Sequence, residues 1–158
     1  MIDEFIRCGV TDAVLAPGSR STPLAIALAD AERDGAITLH VRMDERSAGY
    51  LAVGIAKVTG VPPIIVTTSG TAAVNLHPAV VEAYEAGVPL VAVTADRPPH
   101  LRGIGANQTI HQVGVFGPDV VDSIDMGVAA EKTGMVRYWR STVARAVARS
   151  TDAMRPGP

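Results

Sequence analysis

The chain predicts an α/β fold: a parallel sheet of about six strands with helices on both faces. Two features of its 158 residues carry that expectation. Short runs rich in β-branched residues alternate with longer stretches of helical period, which is the β-α-β rhythm of a parallel sheet. Small hydroxyl residues and glycine gather at two of the passages from strand to helix, and ligands collect at the carboxyl ends of strands in such folds.

The first strand is predicted over Asp12 to Ala16. It runs into Pro17-Gly18-Ser19-Arg20-Ser21-Thr22-Pro23, where Gly18 permits a tight turn. Ser21 or Thr22 can cap a helix from Thr22 to Asp34 that holds Pro23 in its first turn. Free amides at that helix start, beside Arg20, make an anion site; a capped helix with a solvated arginine is the plainer alternative. A second strand, Ile37 to Val41, leads into a helix from Asp44 to Gly60. Glu45 falls on the same stripe of that helix as Ala48, Ala52, Ile55 and Ala56, so its carboxylate belongs with the apolar face. A carboxylate held out of water is either well paired or useful, and its pKa is expected to be raised.

The third strand, Pro63 to Thr67, opens into Thr67-Thr68-Ser69-Gly70-Thr71-Ala72-Ala73-Val74-Asn75 and a helix from Ser69 to Gly87. A capping role explains Ser69 but leaves Gly70, Thr71 and Asn75 without a reason, and the junction reads as a binding wall. Pro78 removes a helix donor, so a kink or pause is expected near Val74. After a fourth strand, Pro89 to Thr94, the segment from Ala95 to Gly117 has no strong period, as functional loops often do not. A fifth strand is placed at Val120 to Ile124. A last helix from about Gly134 to Asp152 carries the stripe Val136, Trp139, Val143, Ala146 and Val147, with Arg137, Arg140, Arg145 and Arg149 on a solvated side.

Composition narrows the function. A net charge of -2 with 4% aromatic residues speaks against nucleic acid as a partner, and small ligands fit better. Cys8 is the only cysteine, which excludes an internal disulfide framework and suits a reducing cytoplasm. The apolar runs Pro62 to Val66 and Val88 to Val93 are too short to cross a bilayer, so no membrane insertion is expected. His40, His77, His100 and His111 lack metal-ligand spacing. Gly103-Ile104-Gly105 lacks the third glycine of a dinucleotide fingerprint, and the first loop lacks the glycine spacing and lysine of a Walker loop.

Five motifs in order, Ala16-Pro17-Gly18-Ser19-Arg20-Ser21, Asp44-Glu45-Arg46, Thr68-Ser69-Gly70-Thr71, Thr94-Ala95-Asp96-Arg97-Pro98-Pro99 and Gly105-Ala106-Asn107-Gln108, closely resemble the amino-terminal, pyrimidine-binding domain of the SEPHCHC synthase family of menaquinone biosynthesis. That family depends on thiamine diphosphate. The resemblance implies that Glu45 hydrogen-bonds N1′ of the cofactor's aminopyrimidine and favours its imino tautomer. It implies that Ser69, Gly70, Thr71 and Asn75 line the pyrimidine pocket. It implies that Ser19, Arg20, Arg97, Asn107 and Gln108 bind the substrates, 2-oxoglutarate and isochorismate, whose carboxylates suit arginine. The family holds the diphosphate through Mg²⁺ on a Gly-Asp-Gly motif that this chain lacks. Residues 1–158 are therefore expected to be one domain of a three-domain cytoplasmic enzyme, with no metal ligand of their own, inactive alone, and completed by a homo-oligomeric interface that leaves an apolar patch near Glu45 and Ser69. Two further readings are the small subunit of another two-chain thiamine-diphosphate-dependent decarboxylase and a non-enzymatic carboxylate-binding module.

Overall fold

The computed structural model describes residues 1–158. Its ten principal elements are α1 (Ile2–Arg7), β1 (Asp12–Leu15), α2 (Thr22–Arg33), β2 (Thr38–Val41), α3 (Glu45–Thr59), β3 (Ile64–Thr67), α4 (Thr71–Asn75), α5 (His77–Glu85), β4 (Val91–Thr94) and α6 (Met135–Ser150). The four strands form one parallel sheet in the order β2-β1-β3-β4. Side chains alternate across it. Val14, Ala16 and Ile65 pack on α3 and α5, while Ala13, Leu15, Ile64 and Val66 pack on α1, α2 and α6. The α/β architecture with both faces covered is thus as expected.

The sheet has four strands rather than about six, and Val120 to Ile124 is not one of them. Its backbone is engaged elsewhere: the Val121 amide donates to the Pro158 carbonyl at 2.8 Å, the Val121 carbonyl accepts from Arg149 Nη2 at 3.3 Å, and the Ser123 amide turns onto Asp122 Oδ1 at 2.9 Å. β4 therefore keeps an unpaired outer edge. The third strand starts directly after Pro63, because a proline cannot donate to a ladder, and the fourth starts at Val91, two residues after Pro89.

Pro78 divides the long predicted helix. Its ring crowds the carbonyl four residues back, and the helix breaks at Leu76 into α4 and α5. The short α1 escaped the sequence reading, although Ile2 and Phe5 bury the face it turns to the core. In α6, Val143 and Val147 are buried as expected, but Val136, in the first turn of the helix, is 66% exposed. Arg140 pairs with Glu4 of α1 at 2.7 Å and so ties the two helices together. His40 and His77 each meet a carboxylate, Asp12 and Asp119, at 2.9 Å. No helix is long and apolar enough to cross a membrane.

Candidate functional site at the strand tips

Because every strand runs the same way, the loops after β1, β2, β3 and β4 emerge at one end. They bring four of the five sequence motifs into two neighbouring groups.

The first group is centred on Glu45. Asp44 caps α3, its Oδ1 accepting the Ser47 amide at 2.7 Å as well as the Ser47 hydroxyl. These bonds hold the Asp44 carboxyl below the usual carboxylate range, the Ser47 hydroxyl contributing most. Glu45 is the first residue of the helix. Ala48, Ala52 and Ala56 of its stripe are buried, but Glu45 itself is half-buried, since the first turn projects past the end of β2. The acid is therefore less desolvated in this chain than its stripe suggests. Its Oε2 accepts from Asn75 Nδ2 at 3.4 Å. Close packing brings them together: a Cβ on Gly49 would lie 2.7 Å from that of Ala79, so α3 and α5 approach almost backbone to backbone. Thr71 and Asn75 are exposed beside the acid.

The second group is built around the turn after β3. Ser69 and Gly70 are buried, and Ser69 does not cap α4; its hydroxyl donates to the Gln108 carbonyl at 2.9 Å. Gln108 returns the contact, Nε2 donating to the Ser69 carbonyl at 3.0 Å. Asn107 and Gln108 present exposed side chains at this point. The Asn107 carbonyl accepts from Arg97 Nε at 3.2 Å and Nη2 at 3.0 Å.

Arg20 and Ser19 lie across the turn, on the β1 loop. Ser21 and Thr22 do not cap α2 as the sequence suggested; their hydroxyls donate to the carbonyls of Gly18 and Ser19 at 3.0 and 2.9 Å, knotting the loop instead. Ser19 is exposed and Arg20 half-buried. Both arginines line one cavity of about 830 Å³ that extends between β4, α2, α6 and residues 112–129. The electrostatics there are uneven. Arg102 sits between Asp96 at 2.8 Å and Asp125 at 3.0 Å, and this clamp lowers the Asp125 pKa and raises that of Arg102. Arg20 and Arg97 have no carboxylate partner, so their charge is free to meet an anion.

Gln112, which the sequence reading passed over, is the most deeply buried polar side chain of the loop. Its Oε1 accepts the Gly70 amide at 2.9 Å, and its Nε2 donates to the Ala95 carbonyl at 2.7 Å and to Thr94 Oγ1 at 3.1 Å.

The donor set fits part of a thiamine diphosphate. A half-buried carboxylate at a helix start, beside an exposed amide side chain, suits an aminopyrimidine ring. For a metal-bound diphosphate the residues do not fit: no three His, Cys, Asp or Glu side chains converge.

Residues 1–115 match the family described as thiamine pyrophosphate enzyme, N-terminal TPP binding domain. The whole chain is 55% identical to 2-succinyl-5-enolpyruvyl-6-hydroxy-3-cyclohexene-1-carboxylate synthase of Thermobifida fusca and 52% identical to that of Saccharopolyspora erythraea. Over 97% of the chain it is 54% identical to the protein of the same name from Mycobacterium tuberculosis H37Rv. The chain spans 28% of the length of each of these relatives.

Proposed function

This chain belongs to the thiamine pyrophosphate enzymes, as their N-terminal TPP binding domain, and from that premise we propose that it is the pyrimidine-binding domain of a 2-succinyl-5-enolpyruvyl-6-hydroxy-3-cyclohexene-1-carboxylate synthase. The complete enzyme takes 2-oxoglutarate, releases carbon dioxide and joins the remaining succinyl unit to isochorismate. Residues 1–158 form one domain of it. Mg²⁺ and the diphosphate are held by a further domain, the active site closes between copies of the enzyme, and the enzyme works in the cytoplasm. Support comes from the identity to the synthases along the whole chain.

The single observation that carries the chemistry is the Glu45–Asn75 contact at the strand tips, at the same end of the sheet as two arginines without acidic partners. Bound thiamine diphosphate supplies the electron sink that a 2-oxo acid needs to lose carbon dioxide. The residues of this chain do the rest. Glu45 holds a proton at N1′ of the aminopyrimidine, and its place on a helix fixes the direction of that hydrogen bond. Asn75 orients the carboxylate, and Thr71 offers a hydroxyl at the same wall. Arg20 and Arg97 bind the substrate carboxylates, and Ser19, Asn107 and Gln108 orient them through neutral hydrogen bonds. Ser69 and Gly70, being buried, shape the wall from behind through their contact with Gln108. A carboxylate-binding module alone would give Arg20 a purpose but would leave Glu45 without one.

Glu45→Gln in the complete enzyme tests the proposal. The expected result is a fall in kcat of about 10²- to 10⁴-fold, the range of acid-base contributions, with thiamine diphosphate still bound. A parent-like rate would remove Glu45 from the mechanism.

A further inference from the structure

We infer that Gln112 is a positioning residue for substrate recognition: its buried amide seats the loop that carries Arg97, Asn107 and Gln108. The inference rests on the assignment of those three residues to substrate binding.

A buried primary amide is costly unless its donors and acceptor are matched. Here the partners are a donor and a carbonyl on neighbouring loops, the Gly70 amide after β3 and the Ala95 carbonyl after β4, so the side chain ties the two strand tips together past their last backbone bond, from the Ala95 amide to the Thr67 carbonyl at 3.0 Å. An amide nitrogen facing Gly70, or an oxygen facing Ala95, would set like against like, so these partners also fix which end is which.

Four residues earlier, Gln108 adopts φ 56°, the one positive φ among the non-glycine residues. Such a conformation persists where its surroundings impose it. They do so here through Ser69: hydroxyl to carbonyl at 2.9 Å, and Gln108 Nε2 to the Ser69 carbonyl at 3.0 Å. Gly70 completes the seat, since a Cβ there would stand 3.0 Å from Gln108 Cγ. Gln108 and Gln112 thus hold adjacent residues of one turn, Gln108 through Ser69 and Gln112 through Gly70. The Asn107 carbonyl, next in the chain, holds the guanidinium of Arg97. Loss of the Gln112 bonds loosens the seat, then the carbonyl, then the direction of the arginine. The path runs behind the pyrimidine wall, through Ser69 and Gly70, and includes no bond to Glu45 or Asn75.

The test uses the complete enzyme with Gln112→Glu, which keeps the shape and the acceptor but turns an oxygen on the Ala95 carbonyl, and Gln112→Met, which removes all three bonds at similar volume. Arg97→Met serves as the reference for direct substrate contact. KM for 2-oxoglutarate and for isochorismate, kcat, and the Kd for thiamine diphosphate are measured for each. The expected result for either Gln112 variant is KM raised about tenfold or more for at least one substrate, the cost of a small misplacement, with kcat within about threefold and the cofactor Kd moved less than that KM. Parent KM values in both Gln112 variants, beside a raised KM in Arg97→Met, would overturn the inference alone. So would a loss confined to the fraction of active enzyme, which is what a purely structural glutamine gives. Parent KM values in Arg97→Met as well would overturn the substrate-binding assignment, and this inference with it.

Discussion

Gly18 and Thr68 meet with no room for another carbon: a Cβ on Gly18 would fall 2.4 Å from Thr68 Cβ and 2.5 Å from its Cγ2. The loop bearing Ser19 and Arg20 is therefore pressed directly onto the end of β3. Gly18→Ala is expected to destabilise the domain by about 1–3 kcal/mol, the cost of overpacking, read as a lower urea midpoint. Thr68→Ser in that background should restore little, because the nearer atom is the Cβ that serine retains. The sequence suggested a tight turn at Gly18, but its backbone is extended, φ -165° and ψ 163°, and it is the contact with Thr68 that requires glycine; Glu45 was legible as an acid on the wrong stripe. Gln112 was not. A single glutamine in an aperiodic loop has no pattern to betray it, and its partners lie 42, 18 and 17 residues away. Ser69 was read as lining a pocket, yet only the fold reveals that its hydroxyl is spent on Gln108.

Local rules located the helices better than the outermost strand. Asp44 and Gly60 bracket α3 as cap and left-handed stop, and Pro78 splits α4 from α5 where its ring must. By contrast, Val120 to Ile124 has strand composition but gives its backbone to Pro158, Arg149 and Asp122, partners that no local pattern reveals. α1 was missed because six residues give too little period to count. The cap on α3 carries a pH dependence of definite sign. The folded pKa of Asp44 lies below its unfolded value of about 3.9, so the stability it lends is complete above that value and is lost as the pH falls through the lower one. Asn also caps well but does not titrate. The difference in melting temperature between the parent and Asp44→Asn should accordingly be constant near neutrality and change only below about pH 4. A change centred near pH 6 would show that another group is responsible.

Both faces of the sheet are covered, and the large apolar side chains that remain exposed are spread over several helices and loops. Near Glu45 these are Val41, Met43, Tyr50 and Val74, with Met43 82% exposed; Ser69, which was expected to share that surface, is buried instead. A homo-oligomeric contact over this region would cover them. Tyr50→Glu and Met43→Glu in the complete enzyme should then lower the mass seen by light scattering and the activity together, whereas an unchanged mass would assign assembly to another face. The common direction of the strands has one more outcome. All proposed site residues occupy one pole, while the helix-to-strand returns near Gly35 and Gly60 occupy the opposite pole, with open space around both glycines. A fluorophore or affinity handle spliced into either return would report on the molecule without disturbing its chemistry.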